Sequence, residues 1–104
     1  MEYIMDTFEY QDLLKLAADA SNIDIATLDA SDWNPLADNG DAFRLATNLK
    51  INVMFLNWAV KAKLHNSEYE TDWIDFSQFN GDAYAATRYA IVAAAAEIAR
   101  NKMK

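Results

Sequence analysis

Three carboxylates recur with a period of two in Glu68, Glu70 and Asp72. On a strand that alternation would set all three on one face, about 7 Å apart, where they could hold Ca²⁺ or Mg²⁺ or imitate a run of phosphates. A hard cation needs oxygens converging from several directions, which a flat row does not offer. Charge on an outer strand also deters unwanted pairing, so the spacing points to a solvated or edge-protecting face. His65 is the only histidine and cysteine is absent, so zinc sites and Ser-His or Cys-His nucleophile systems lack their parts. Carboxylate-only hydrolysis stays formally open, because sixteen acids always contain close pairs. The tetrapeptide Asn-Gly-Asp-Ala occurs twice, at Asn39 to Ala42 and Asn80 to Ala83, each time followed by an aromatic residue (Phe43, Tyr84). A helix N-terminus can cradle phosphate, but Asp41 and Asp82 would compete with the anion, and neither copy has the glycine spacing or lysine of a phosphate loop. Both copies read instead as helix starts, with Asp at or near the cap and Gly easing the entry of the chain. No residue is therefore assigned to catalysis, to a cofactor or to a metal, and the expectation is a protein that is not an enzyme.

The elements that would position these residues follow from periodicity. Asp6 and Glu9 resemble a capping box, and Tyr10, Leu13, Leu14 and Ala17 continue at helical spacing, which predicts a helix over residues 7–20. From Asn22 to Ala37 the pattern breaks, and Pro35 forces Asn34 out of helical geometry, which leaves a connecting loop with Trp33 as its anchor. Ala42, Leu45, Ala46 and Leu49 form one apolar face of a second helix from about residue 40 to 49. Ile51 to Leu64 fits either period, but its β-branched and aromatic residues favour a hairpin broken at Leu56-Asn57. After a turn at His65-Asn66, a third strand is expected from Glu68 to Phe76, with Tyr69, Thr71 and Trp73 opposite the carboxylate face. The alanine-rich stretch from Asp82 to about Asn101, free of Gly and Pro, predicts a long last helix. Ala86, Ala90, Ala93 and Ala94 would lie against the sheet, Tyr84, Ile91 and Ile98 would fill gaps, and Lys102 and Lys104 would complement the helix C-terminus. The sum is one α+β domain over residues 1–104, a layered sandwich with a small antiparallel sheet of about three strands and about three helices in the order αα-βββ-α.

Charge bounds the partners. The net charge is −7 and hydrophobic residues make up 53% of the chain, enough for one core. Residues 1–41 hold ten acids and one base, whereas residues 42–104 hold six acids and eight bases. A negative field repels phosphate backbones, so no direct nucleic-acid binding is expected, while a basic partner surface would be attracted in a salt-sensitive way. No window of eighteen uncharged apolar residues occurs and the first six residues hold two acids and no base, so neither a membrane span nor a signal peptide is expected, and the protein should be cytoplasmic. Three tryptophans and five tyrosines are many for this length, and exposed rings are common interface anchors. If one tryptophan is exposed, Trp33 or Trp73, each beside an acid, is the one expected. The candidate interaction surface is Asp32, Trp33, Asp38, Glu68, Glu70, Asp72 and Trp73.

Asp32-Trp33-Asn34-Pro35-Leu36 running into Asn39-Gly40-Asp41-Ala42-Phe43-Arg44-Leu45-Ala46 resembles the phage ABA-sandwich family. So does Asp82-Ala83-Tyr84-Ala85-Ala86-Thr87-Arg88-Tyr89-Ala90-Ile91-Val92 running into Ala94-Ala95-Ala96-Glu97-Ile98. The middle, from Asn52 to Gln78, departs from the family. The resemblance implies an α/β sandwich with helices flanking a small antiparallel sheet in a small bacteriophage or prophage protein, and it brings no activity or catalytic residue with it. The functional expectation is a phage or prophage accessory protein in the bacterial host cell that binds a host or phage protein. Its sharpest form is an acidic anti-defence inhibitor presenting carboxylates where phosphates would sit on a basic nucleic-acid-binding surface. The alternatives are a small-molecule- or divalent-ion-binding module or weak enzyme, and a self-associating structural protein that dimerises through the alanine-rich helix or a strand edge.

Overall fold

The helices that begin near residues 39 and 83 each start where an aspartate carboxylate accepts a free N–H of the first turn. The computed structural model describes residues 7–22 and 33–102. Helices α1 (Thr7–Ala20), α2 (Asn39–Leu49) and α3 (Ala83–Lys102) accompany strands β1 (Ile51–Phe55), β2 (Ala59–Leu64) and β3 (Ile74–Asp75), and a 3-10 turn at Phe76–Phe79 leads from β3 into α3. This is the expected α+β order, with one antiparallel sheet in the order β1-β2-β3. Asp6 of the expected capping box and Lys104 lie outside the described residues.

The two Asn-Gly-Asp-Ala copies start helices by different means. In the first copy the cap is the upstream Asp38, in extended backbone, whose carboxylate accepts the Asp41 N–H at 2.7 Å. Asn39 and Gly40 are already helical, and Asp41 is displaced from the expected cap into the first turn, where its charge still suits the positive helix end. In the second copy Asn80 (φ 58°) and Gly81 (φ 80°) are left-handed and close the 3-10 turn. Asp82 then caps α3, its Oδ1 accepting the Ala85 N–H at 3.1 Å. The difference lies upstream, because the first copy follows an acid able to cap and the second follows the end of another helical turn. Lys50, left-handed at φ 58°, terminates α2 and delivers the chain into β1 one residue later.

In the hairpin, Ile51 pairs with Leu64, Val53 with Ala62 and Phe55 with Val60. The Leu56 N–H donates to the Ala59 carbonyl at 2.8 Å, so Asn57 and Trp58 form a two-residue turn, one residue beyond the expected break. β3 is far shorter than the expected Glu68–Phe76 and keeps only Ile74–Asp75, with one isolated bridge between Lys63 and Glu70. The reason is local. The Ser67 hydroxyl accepts the Tyr69 N–H, and the Thr71 hydroxyl accepts the Ala62 N–H, so side chains replace part of the ladder.

α3 packs on the sheet, on α2 and on α1. Ala86, Ala90 and Ala94 are buried as expected and Ala93 is half-buried, but Val92, Ala95, Ala96 and Ala99 are buried too. A helix covered on several sides needs apolar residues around most of its circumference. Leu13 and Ala17 of α1 and Leu45 of α2 join the same core as Val60, Ala62 and Ile74. Tyr84 does not fill a gap: it is 71% exposed, on the row of α3 that leads to Thr87 and Arg88. Among the described residues no helix is long and apolar enough to cross a membrane.

Candidate functional site

The surface expected from sequence is dispersed over separate elements. Asp32 lies outside the described residues. Trp33 is half-buried and packs against the core, and Asp38 is spent on the α2 cap. Glu68 and Asp72 are exposed, whereas Glu70 pairs with Lys61 at 2.9 Å, and the Lys61 ammonium lies over the Trp73 ring at 4.6 Å. Glu70 and Trp73 thus meet around a lysine. The three carboxylates do not form a strand row, since β3 begins only at Ile74. Trp58, at the hairpin tip, is 53% exposed against 38% for Trp73, so the most exposed tryptophan is neither of the two expected. His65 is exposed in its turn. Among the described residues no group of three His, Asp or Glu side chains is placed to hold a metal ion.

The Trp-Asn-Pro loop is held by a network centred on Asn34 and Asp41. The Asp41 carboxylate accepts the Asn34 N–H at 2.9 Å and pairs with Arg44 at 2.7 Å. The Asn34 side chain accepts the Leu36 N–H, and its carbonyl accepts from Ala37 and Asp38. Arg88 of α3 clamps the loop from the other side, with Nε donating to the Leu36 carbonyl at 2.8 Å and a terminal nitrogen to Asn39 Oδ1 at 2.7 Å. Burial acts to raise the Asp41 carboxyl, but the Asn34 N–H and the Arg44 guanidinium outweigh it and hold the group below its ordinary value. Asp75 is likewise lowered by the Ser77 N–H, and the Tyr69 hydroxyl is pushed up by burial with Glu97 adding to the effect.

None of those shifted groups lines the feature that sequence reasoning missed, an apolar groove of about 820 Å³ between α2, β1 and the first half of α3. Its walls include Ala42 and Ala46 of α2, Val53 of β1 and Ile91 of α3. Three rings also line it and remain open to solvent: Phe43 at 71%, Phe55 at 59% and Tyr84 at 71% exposure. Among the described residues Arg88 is the one charged residue in the lining, and its guanidinium is committed to the loop. Among the described residues no carboxylate or histidine enters it, so their contribution to the groove is apolar contact without an acid–base pair. Its size falls within the usual range for ligand clefts.

The groove also runs beside an open sheet edge. Among the described residues β1 is terminal in the sheet. Because Leu56 and Ala59 form a hydrogen-bonded pair, the alternation of an antiparallel ladder turns the N–H and C=O of Val53 and Phe55 away from β2. No described residue bonds to those groups. β1 reads Ile-Asn-Val-Met-Phe, with none of the charges or prolines that usually guard an outer strand. The signal available in sequence was the phenylalanine or tyrosine that follows each Asn-Gly-Asp-Ala, a large apolar residue just after a helix start. No family model matches the chain, and neither a curated protein nor a solved structure matches it.

Proposed function

We propose that this chain is a binding protein with no catalytic step of its own, and that it grips another polypeptide at the groove between α2, β1 and α3. One observation carries the reading: Phe43, Phe55 and Tyr84 stand open to water around one apolar groove. Clustered exposed rings of this kind mark contact surfaces in soluble proteins. The likeness to small phage proteins supports the setting, an accessory protein of a phage or prophage whose partner is a host or phage protein. The experiment is affinity capture with three baits: the native chain, Phe43→Asp and Glu70→Gln. The expected result is a partner held by the native chain and by Glu70→Gln and lost by Phe43→Asp. Capture indifferent to Phe43→Asp refutes the groove as the contact face.

A second reading, an acidic inhibitor of a basic surface, is favoured by the ten acids against one base in residues 1–41, of which Asp12 and Asp19 are exposed on α1. Such binding weakens steeply with added salt. Groove binding holds or strengthens.

A further inference from the structure

The rim of the groove identifies what fills it, provided that the groove is the contact face proposed above. We infer that the occupant is a second copy of this chain, joined antiparallel through the outer edge of β1 about a two-fold axis at Val53. Each copy carries both halves of the contact, an apolar groove and three exposed rings at its mouth, which is what an isologous interface requires. In this register Val53 faces its own counterpart, Asn52 faces the partner's Met54, and Ile51 faces the partner's Phe55. No charged residue lies on the strand, so no like charges meet across the axis. The unpaired Val53 and Phe55 backbone groups find partners, and the two three-stranded sheets become one of six strands. The axis is perpendicular to that sheet, so both α2 helices, each with its Phe43, come to the same face.

The area suffices. A Phe or Tyr ring carries about 150–250 Å², so the measured exposures of Phe43, Phe55 and Tyr84 leave roughly 400 Å² of ring surface open on each copy. Two copies contribute roughly 800 Å² from the rings, and the paired strand edges bring the total towards the ~1,200 Å² at which specific interfaces begin. The net charge of −7 opposes association. Salt screens that repulsion and therefore tightens the dimer, the opposite of its effect on binding to a basic partner.

The test joins sedimentation across micromolar to millimolar concentrations with a nitroxide at Asn52→Cys, in a chain that has no native cysteine. Residue 52 is exposed. In the stated register its two copies lie on a cross-strand diagonal about 7–8 Å apart, so the expected result is a concentration-dependent dimer with strong dipolar broadening. Phe43→Asp and Tyr84→Asp change exposed rings on two different helices, leave the fold intact by circular dichroism, and weaken the dimer about tenfold or more. A dimer without broadening, or one indifferent to both substitutions, overturns the inference. A chain that stays monomeric at millimolar concentration overturns it as well. If Phe43→Asp still abolishes capture of a different protein, the binding role of the groove survives that failure; if capture is indifferent too, both fall.

Discussion

Asp41→Ala removes a side chain that is only 13% exposed and that ties a loop to a helix. The Asn34 N–H then loses an ionised acceptor at 2.9 Å, and hydrogen bonds to charged groups contribute about 1.5–3 kcal/mol. The Arg44 pair adds at most about 1 kcal/mol, because its guanidinium side is 66% exposed. The expected loss is about 2–3 kcal/mol. With an unfolding entropy of about 2.1 cal/mol/K per residue over 104 residues, the melting temperature falls by about 9–14 °C. Differential scanning calorimetry near neutral pH measures it, with Asp82→Ala as the comparison. Asp82 caps α3 at the surface, where a cap is worth about 1 kcal/mol or roughly 5 °C. Acidification adds a second readout. The folded Asp41 carboxyl sits below its ordinary 3.8, so its contribution is whole above that pH and is lost as the pH falls through the lower folded value. The gap between native chain and variant therefore holds steady from neutral pH down to about 5 and narrows below about 4. An Asp41→Ala loss no larger than that of Asp82→Ala, or a gap that widens on acidification, refutes this account.

The two glycines should respond differently to alanine. Gly81→Ala meets open space but must hold φ near 80°, which costs about 1–2 kcal/mol and lowers the midpoint of urea unfolding. At helical Gly40 an added Cβ meets Asp38 Oδ2 at 3.1 Å and an Arg44 nitrogen at 3.2 Å. Arg44 can move aside, and the gain in helix propensity offsets the crowding, so Gly40→Ala stays within about 0.5 kcal/mol of the native chain. Arg88→Ala strips the Leu36 carbonyl of its partner and releases Asn39. The expected cost is about 2 kcal/mol, with faster proteolytic cutting between residues 34 and 38 as the diagnostic sign.

Helix positions were legible because capping and apolar spacing act over a few residues. α1, α2 and α3 begin and end within about two residues of the periodicity, and the β-branched run Ile51 to Phe55 correctly outweighed its helical alternative. Asp38 shows where local reading stops. Counted among surface acids, it turns out to be the cap that the downstream Asp41 was expected to be, and only the extended backbone before it decides between the two. Residues 68–72 keep their alternation, with Tyr69 and Thr71 half-buried and Glu68, Glu70 and Asp72 exposed, while the Thr71 hydroxyl takes one ladder position beside the backbone bonds that Tyr69 and Thr71 make to β2. The groove was invisible because Phe43, Phe55 and Tyr84 belong to three elements that no short-range pattern relates. Tyr84 is expected to fill a gap beside the sheet, and nothing in its neighbours indicates that its side of α3 is left uncovered.

Alanine at the centre of the molecule sets the direction in which this fold can change. Ala90, Ala94 and Ala96 are wholly shielded from water, and an alanine has no rotamers to freeze, so ordering α3 forfeits backbone freedom alone. Any substitution there other than glycine adds volume to a place with no room for it, at about 1–3 kcal/mol for each overpacked site. Variation is thereby channelled outward, to the ring-bearing rim on the opposite flank of the same helix, where Tyr84 can be exchanged without disturbing its buried neighbours. A stiff interior of minimal side chains lets that rim vary while the scaffold beneath it stays unchanged.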